Sequence, residues 1–203
     1  MSIIDKVVAA VTPPESDDAR RKARIEARRA ATPGDWLHEA LDHHLQIEAA
    51  ITSTREATSP AERAAAFKAF ATVLTGHANA EESVLYPALA AADEKGHATM
   101  GYTEQAAVKI QMGMLENLPL MSQAFIDKLE HIRGALLHHM YEEEGTWFLE
   151  LKSKDVDQAR LTARFIEEFE RYAGDADDLL DEDDGDAPLG NLGRGTSDRA
   201  PLR

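Results

Sequence analysis

Apolar residues recur three and four positions apart along most of the chain, which is the pattern of amphipathic helices. Four such stretches have the length of bundle helices, at about 35–57, 61–91, 99–117 and 121–152. Short polar connections such as Thr58-Ser59-Pro60 separate them, and Asp35 is suited to cap the first helix. Because short connections join antiparallel neighbours, the pattern predicts an all-α fold with an up-down-up-down four-helix bundle.

Further segments flank the predicted bundle. Pro13 and Pro14 interrupt the first of them, and Leu161, Phe165 and Phe169 lie four residues apart, as on one face of a helix. The last segment is acidic and then rich in Gly, Asp, Arg and Pro, which is typical of disorder. The predicted organisation is a helical arm at 1–34, the bundle at 35–152, an additional amphipathic helix at 153–174 and an acidic, disordered tail at 175–203.

The composition narrows the possible chemistry. The chain has no cysteine, which excludes disulfides, zinc–thiolate sites and iron–sulfur clusters and leaves eight histidines and 37 acidic residues as metal ligands. Its net charge of -15 opposes binding to nucleic acid and to anionic membranes. No run of about 18 apolar residues predicts a membrane span, and the chain starts without a secretory signal, so we expect a cytoplasmic protein.

Some polar residues fall inside the apolar stripes, where core residues belong. In the second predicted helix these are His77 and Glu81, and in the fourth they are His139 and Glu143, each pair one turn apart. Burying such carboxylates costs several kcal/mol unless something compensates their charge. A divalent cation between the helices would do so. The surrounding stripes include Phe70, Leu74 and Val84 in one helix and Leu129, Leu136 and Trp147 in the other.

The two pairs also belong to a repeat. His77-x-x-x-Glu81-Glu82 and His139-x-x-x-Glu143-Glu144 lie at a constant offset of 62 residues, each followed by apolar and aromatic positions. Such an internal pseudo-repeat predicts that each half presents the same ligand pair to a shared centre.

The first and third predicted helices supply further candidates. His44 lies near the middle of the first apolar stripe and His43 at its edge, so we prefer His44, and Glu48 is a further ligand or an outer partner. In the third helix Glu104 lies inside the stripe, whereas Gln105 is expected to point away. Helical His and Glu with this spacing hold di-iron centres in bundles, and they also suit manganese and zinc. The candidate ligands are therefore His44, His77, Glu81, Glu104, His139 and Glu143.

These motifs resemble the hemerythrin-like, HHE cation-binding family over about residues 35–152. The matching segments are Asp42-His43-His44-Leu45-Gln46-Ile47, His77-x-x-x-Glu81-Glu82-Ser83-Val84-Leu85-Tyr86-Pro87 and His139-x-x-x-Glu143-Glu144. The resemblance implies an up-down four-helix bundle with an oxygen-bridged centre of two non-haem Fe ions and with O2, NO or peroxide as the small ligand. Members carry or sense oxygen, defend against peroxide or nitrosative stress, or sense iron.

The sequence departs from the family pattern at two positions. Where the family usually has a histidine on the third helix, Glu104 stands here, and Leu149 replaces the usual proline of the second motif. A centre richer in carboxylate favours redox or peroxide chemistry over reversible oxygen carriage.

Three functions follow as hypotheses. The first is a di-iron protein that binds or turns over O2, NO or peroxide, and the second is an iron or cation sensor or store without turnover. The third is a metal-free helical interaction protein with an internal polar network. We expect no nucleic-acid or membrane partner and a monomer or homodimer; whether the chain is an enzyme stays open at this point.

Overall fold

A computed structural model of the chain describes residues 15–174, and every regular element among them is helical. The predicted all-α class is thereby confirmed, whereas the first part of the arm and the acidic tail lie outside the described residues. Within 15–174, no helix has the length and apolar character needed to cross a membrane. The helices are α1 (Asp17–Ala30), α2 (Trp36–Glu56), α3 (Pro60–Ala80), α4 (Tyr86–Ala91), α5 (Lys95–Glu116), α6 (Gln123–Glu142), α7 (Phe148–Ser153) and α8 (Gln158–Ala173).

Side chains cap the starts of α2, α3 and α6, whereas α5 begins without a side-chain cap. The Asp35 carboxylate accepts the backbone N–H of His38 at 2.8 Å, which confirms the predicted cap of α2. Ser59 and Glu62 form a reciprocal capping box at the start of α3, and Pro60 occupies a first-turn position where no N–H is needed.

Two π-helical turns interrupt the second and fourth predicted helices, which the apolar pattern indicated as continuous. They cover Glu81–Leu85, between α3 and α4, and Glu143–Trp147, between α6 and α7. In each turn the backbone N–H five residues on bonds to the carbonyl of the first glutamate. Pro87 lacks an N–H and so favours the first interruption, but the second occurs with Leu149 at the matching position, so proline is not required.

The apolar core forms two clusters, one on each side of a layer of buried polar residues. The first cluster includes Trp36, Leu37, Leu85, Trp147 and Phe148. The second includes Ile47, Phe70, Phe125, Leu129 and Leu136. Along α2, α3 and α6 the buried histidines and glutamates come between residues of the two clusters, so the core holds its polar groups at one level.

Helices α1 and α8, the first and the last described, pack directly on helices that lie between them in the sequence. Helix α1 buries Ala23 and Ala27 and contacts α2 and the second π-turn. Helix α8 contacts α2 and α3, buries Phe165 completely, and comes so close to Gly76 that a Cβ there would lie 3.0 Å from the Ala173 side chain. The predicted division of the chain into arm, bundle, additional helix and tail stays a prediction.

Candidate metal centre

Four buried side chains converge between α2, α3 and the two π-turns. His44 comes from α2, His77 from α3, and Glu81 and Glu143 are the first residues of the π-turns. One ligand atom from each lies within 4.8 Å of the others, and none of the four is more than 3% exposed. The two repeated motifs therefore meet in space, as the repeat predicted.

The contacts among these four groups call for a positive charge. The Nε2 atoms of His44 and His77 face each other at 3.2 Å, and His77 Nε2 lies 3.1 Å from Glu81 Oε1. Within residues 15–174, the buried oxygens Glu81 Oε1 and Glu143 Oε2 have no hydrogen-bond partner. Two facing ring nitrogens and two unsatisfied carboxylate oxygens are costly together unless a proton or a cation lies among them. The donor set fits a divalent ion such as iron, manganese or zinc.

Tyr86 adds a fifth side chain to this layer, and the sequence pattern did not indicate it. Its hydroxyl donates to Glu143 Oε1 at 2.9 Å and lies 3.2 Å from both Glu81 Oε2 and His139 Nε2. In an α-helix a residue five positions after Glu81 would point about 140° away, but the π-turn brings it back to the same side. Gly101 makes room for the ring, since a Cβ there would lie 2.6 Å from it.

His139 completes the polar layer on the Tyr86 side. Its Nε2 lies 3.3 Å from Glu143 Oε1, and its Nδ1 lies 2.8 Å from a carboxylate oxygen of Glu104. The Nδ1 of His44 has the same kind of partner, Glu144, at 2.8 Å. A carboxylate at Nδ1 orients an imidazole and leaves Nε2 to act as a ligand.

Burial and charge shift the pKa values of several groups in this layer. Burial alone lowers the pKa of His44, but the neighbouring carboxylates of Glu143 and Glu144 outweigh it and raise the pKa to about 10. Burial also lowers the pKa of His139, but nearby carboxylates outweigh burial and raise this pKa to about 9. Burial and the charge on His44 hold the pKa of His77 well below its usual value, and burial raises the pKa of Glu81. Without metal, protons on His44 and His139 thus balance the carboxylates, and bound cations would replace those protons.

Comparison with known proteins identifies the fold that carries this layer. The family model of the hemerythrin HHE cation-binding domain matches residues 35–151. The chain belongs to this family. A DNA nickase of Nostoc sp. (strain PCC 7120 / SAG 25.82 / UTEX 2576) is 25% identical over 113 residues, which are 56% of this chain and 32% of the nickase. The chain therefore spans about a third of that relative's length. No solved structure matches the chain.

The structure gathers five of the six predicted ligands of the hemerythrin-like centre in one layer and places Glu104 at its rim. Glu104 is partly exposed and reaches only the outer nitrogen of His139, whereas Gln105, expected to point away, is buried. The Gln105 amide donates to Glu81 Oε2 and, at 2.8 Å, to the Tyr86 hydroxyl. The expected orientation is wrong because Met100 and Met114 are apolar but about half exposed, so they do not mark the buried face of α5.

The choice between the two neighbouring histidines of α2 follows from their surroundings. His44 is fully buried with Nε2 toward His77, whereas the His43 ring stacks on Phe169 at a centroid distance of 3.6 Å. Burial, together with the charges on His77 and His44, lowers the pKa of His43 to about 2, so it is a neutral packing residue. Glu48 pairs with Arg24 instead of reaching the centre.

A cavity of about 240 Å³ leads to the centre between α3, α5 and α6. His77, Gln105 and His139 form its inner end, and Lys109 and Glu116 are its charged residues. Its volume is below the roughly 300–1,000 Å³ of usual small-molecule pockets. The remaining lining is mainly apolar and includes Leu74, Ala78, Val108, Met112, Leu136 and Met140.

Proposed function

We propose that this hemerythrin-like protein holds two non-haem iron ions and binds or reacts with O2, NO or peroxide. The role would lie in oxidative or nitrosative stress defence or in oxygen sensing. The observation that carries the proposal is the buried group of His44, His77, Glu81 and Glu143 within 4.8 Å, whose facing nitrogens and unsatisfied oxygens call for cations. The proposal includes an up-down-up-down arrangement of the four long helices α2, α3, α5 and α6.

The two glutamates support a pair of ions because each spans both sides of the layer. On one side Glu143 Oε2 lies 3.3 Å from His44 Nε2, and on the other Glu143 Oε1 lies 3.3 Å from His139 Nε2. Glu81 is placed alike, with Oε1 toward His77 and Oε2 toward Tyr86. Carboxylates in this position would help to hold a pair of ions, with His44 and His77 as candidate ligands on one side of the layer and His139 and Tyr86 on the other.

The chain's own groups would select and orient a small uncharged reactant. A pair of iron ions supplies the electron exchange that O2, NO and peroxide require. The narrow, mainly apolar cavity admits small neutral molecules and disfavours large or charged ones. At its inner end Gln105 donates its two amide N–H groups to Glu81 and Tyr86. Its buried carbonyl oxygen has no partner within residues 15–174, so it can accept a hydrogen bond from a protonated reactant such as hydrogen peroxide.

Two other roles are weighed against this proposal. A cation sensor or store would use the same ligands, with manganese or zinc as substitutes, and would change its spectrum without consuming the reactant. DNA nicking, named for the Nostoc relative, is not carried over, because the matched segment is a third of that protein and a net charge of -15 opposes DNA binding.

The test is reactant consumption by iron-loaded protein. Reduced protein is mixed with O2, NO or peroxide, and both the absorption spectrum and the remaining reactant are followed. We expect a spectral change with all iron-loaded samples and none with chelator-treated protein. Sustained peroxide or NO consumption would establish turnover, a spectral change without consumption would favour the sensor or store, and no response to any of the three would contradict the proposal.

A further inference from the structure

A charged residue outside the family domain reaches the candidate metal centre. Arg24 lies on α1, ahead of the matched residues 35–151. Its Nε donates to both carboxylate oxygens of Glu144 at 2.9 and 3.1 Å, and its Nη2 donates to Glu144 Oε1 at 2.7 Å and Glu48 Oε1 at 2.6 Å. A guanidinium held by several bonds to one carboxylate is fixed in orientation as well as in place.

Glu144 passes this contact on to a ligand candidate. Its side chain is 1% exposed, and the Oε1 atom that accepts from Arg24 also lies 2.8 Å from His44 Nδ1. The opposite ring nitrogen, His44 Nε2, faces His77 and Glu143. A continuous line of charge-assisted hydrogen bonds thus runs from α1 to Nδ1 of His44, the ring nitrogen that faces away from the centre.

We infer that Arg24 is a positioning residue that tunes the donor strength of His44, so that α1 is a working part of the metal centre. The inference rests on the proposed iron site. A carboxylate at Nδ1 makes the opposite nitrogen a stronger donor, and this effect grows with the negative charge the carboxylate carries. The positive guanidinium of Arg24 neutralises part of the negative charge on Glu144. Loss of Arg24 therefore makes His44 a stronger donor, whereas loss of the Glu144 charge makes His44 a weaker donor.

A purely structural role for Arg24 makes a different prediction. Helix α1 is also held by Ala23 and Ala27, which are buried, and by Arg28, which binds the Asp42 carboxylate and the His38 carbonyl. If Arg24 only attached α1 to the bundle, then replacing Arg24 or Arg28 would have similar effects. Arg28→Gln is therefore the matched control, since this substitution removes the same charge from the same helix at a residue that does not contact Glu144.

The experiment measures the midpoint potential of iron in the 203-residue chain by spectroelectrochemistry. A stronger donor stabilises oxidised iron, so we expect Arg24→Gln to lower the potential and Glu144→Gln to raise it. Arg24→Lys keeps the charge and should fall between wild type and Arg24→Gln. Arg28→Gln should match wild type. Circular dichroism and the thermal midpoint of each metal-free variant check that the fold is retained.

The outcomes separate this inference from the proposed function. Suppose that wild type takes up iron. If the midpoint potentials of Arg24→Gln and Glu144→Gln then shift in the same direction, or if Arg24→Gln has the same potential as Arg28→Gln, the inference is overturned and the iron site still stands. If Arg24→Gln fails to fold, a potential for Arg24→Lys equal to wild type overturns the inference and a lowered one supports it. Wild type that takes up no iron overturns the proposed function and the inference with it.

Discussion

The two repeated motifs have the same spacing and the same backbone conformation, yet they bring different side chains to the polar layer. Each begins a π-turn at its second ligand, Glu81 or Glu143. Five residues later the first has Tyr86, whose hydroxyl enters the polar layer, and the second has Phe148, whose ring stacks on His44. The same backbone irregularity therefore delivers a polar group to one side of the layer and an apolar wall to the other.

The acidic residue after each ligand glutamate shows the same contrast. Glu82 is partly exposed and pairs with Lys109 at 2.6 Å, whereas Glu144 is buried between His44 and Arg24. A repeated sequence thus supplies a symmetric frame, and its neighbours on α1, α2 and α5 make the frame asymmetric. We expect two metal positions with unlike surroundings.

The largest effect should come from the two glutamates at which the motifs are still equivalent. Glu81→Gln or Glu143→Gln should abolish metal binding, because each removes a buried charge that faces both sides of the layer. Metal-dependent stabilisation would vanish with it, about 4 kcal/mol at a thousandfold excess of free metal over its dissociation constant. Metal content and thermal midpoints with and without chelator measure this.

Glu82→Gln is the control for these variants, since it changes the same residue type one position further on. It should bind metal as wild type does. Retention of two ions by Glu143→Gln would show that the repeat does not build the site.

The next effect should come from the glycine that admits Tyr86, which has no equivalent in the second motif. Gly101→Ala forces the Tyr86 ring to move and should destabilise the protein by about 1–3 kcal/mol, as overpacking does. On the same helix, Gly113 has open space around its Cβ position, so Gly113→Ala should be stabilising by roughly 0.5–1 kcal/mol. Denaturant unfolding distinguishes them, and equal effects would argue against the close packing of Tyr86.

The pH dependence of the stability of metal-free protein should have a clear sign. Hydrogen bonds and charge from carboxylates raise the folded-state pKa of His44 to about 10 and of His139 to about 9, from 6.5. A group whose pKa rises on folding stabilises the fold fully below its unfolded pKa and loses that contribution as the pH rises through the folded value. Metal-free protein should therefore lose stability from about pH 6.5 to 10.

Metal-loaded protein should show a flatter profile over the same range, because cations take the place of the histidine protons. Thermal midpoints across the range measure both forms. Stability of the metal-free form that increased with pH would contradict the assignment of protons to His44 and His139.

The smallest effect on stability should come from the residue pair that distinguishes the motifs. Tyr86→Phe should keep the fold and most of the iron but lose any visible absorption that arises from phenolate bound to ferric iron. Phe148→Leu is the control and should leave that absorption in place, since Phe148 stacks on His44 and has no phenol group. An unchanged visible spectrum in Tyr86→Phe would exclude Tyr86 as a ligand.

Sequence periodicity predicted the helices and the facing His–Glu pairs because both follow from α-helical spacing. It missed Tyr86 because a π-turn changes that spacing locally. Periodicity gave the wrong orientations for Glu104 and Gln105, because methionines on α5 are apolar in the sequence but exposed in the structure. The contact of Arg24 with Glu144 joins residues 120 positions apart, which helical periodicity does not address.

The most direct test of the central claim is metal content by mass spectrometry, with an ultraviolet–visible spectrum, on untagged protein purified from iron-supplemented cells. The account predicts close to two irons per chain, with charge-transfer absorption in the near ultraviolet. One zinc per chain, or no metal, would contradict a two-iron centre built by the two motifs.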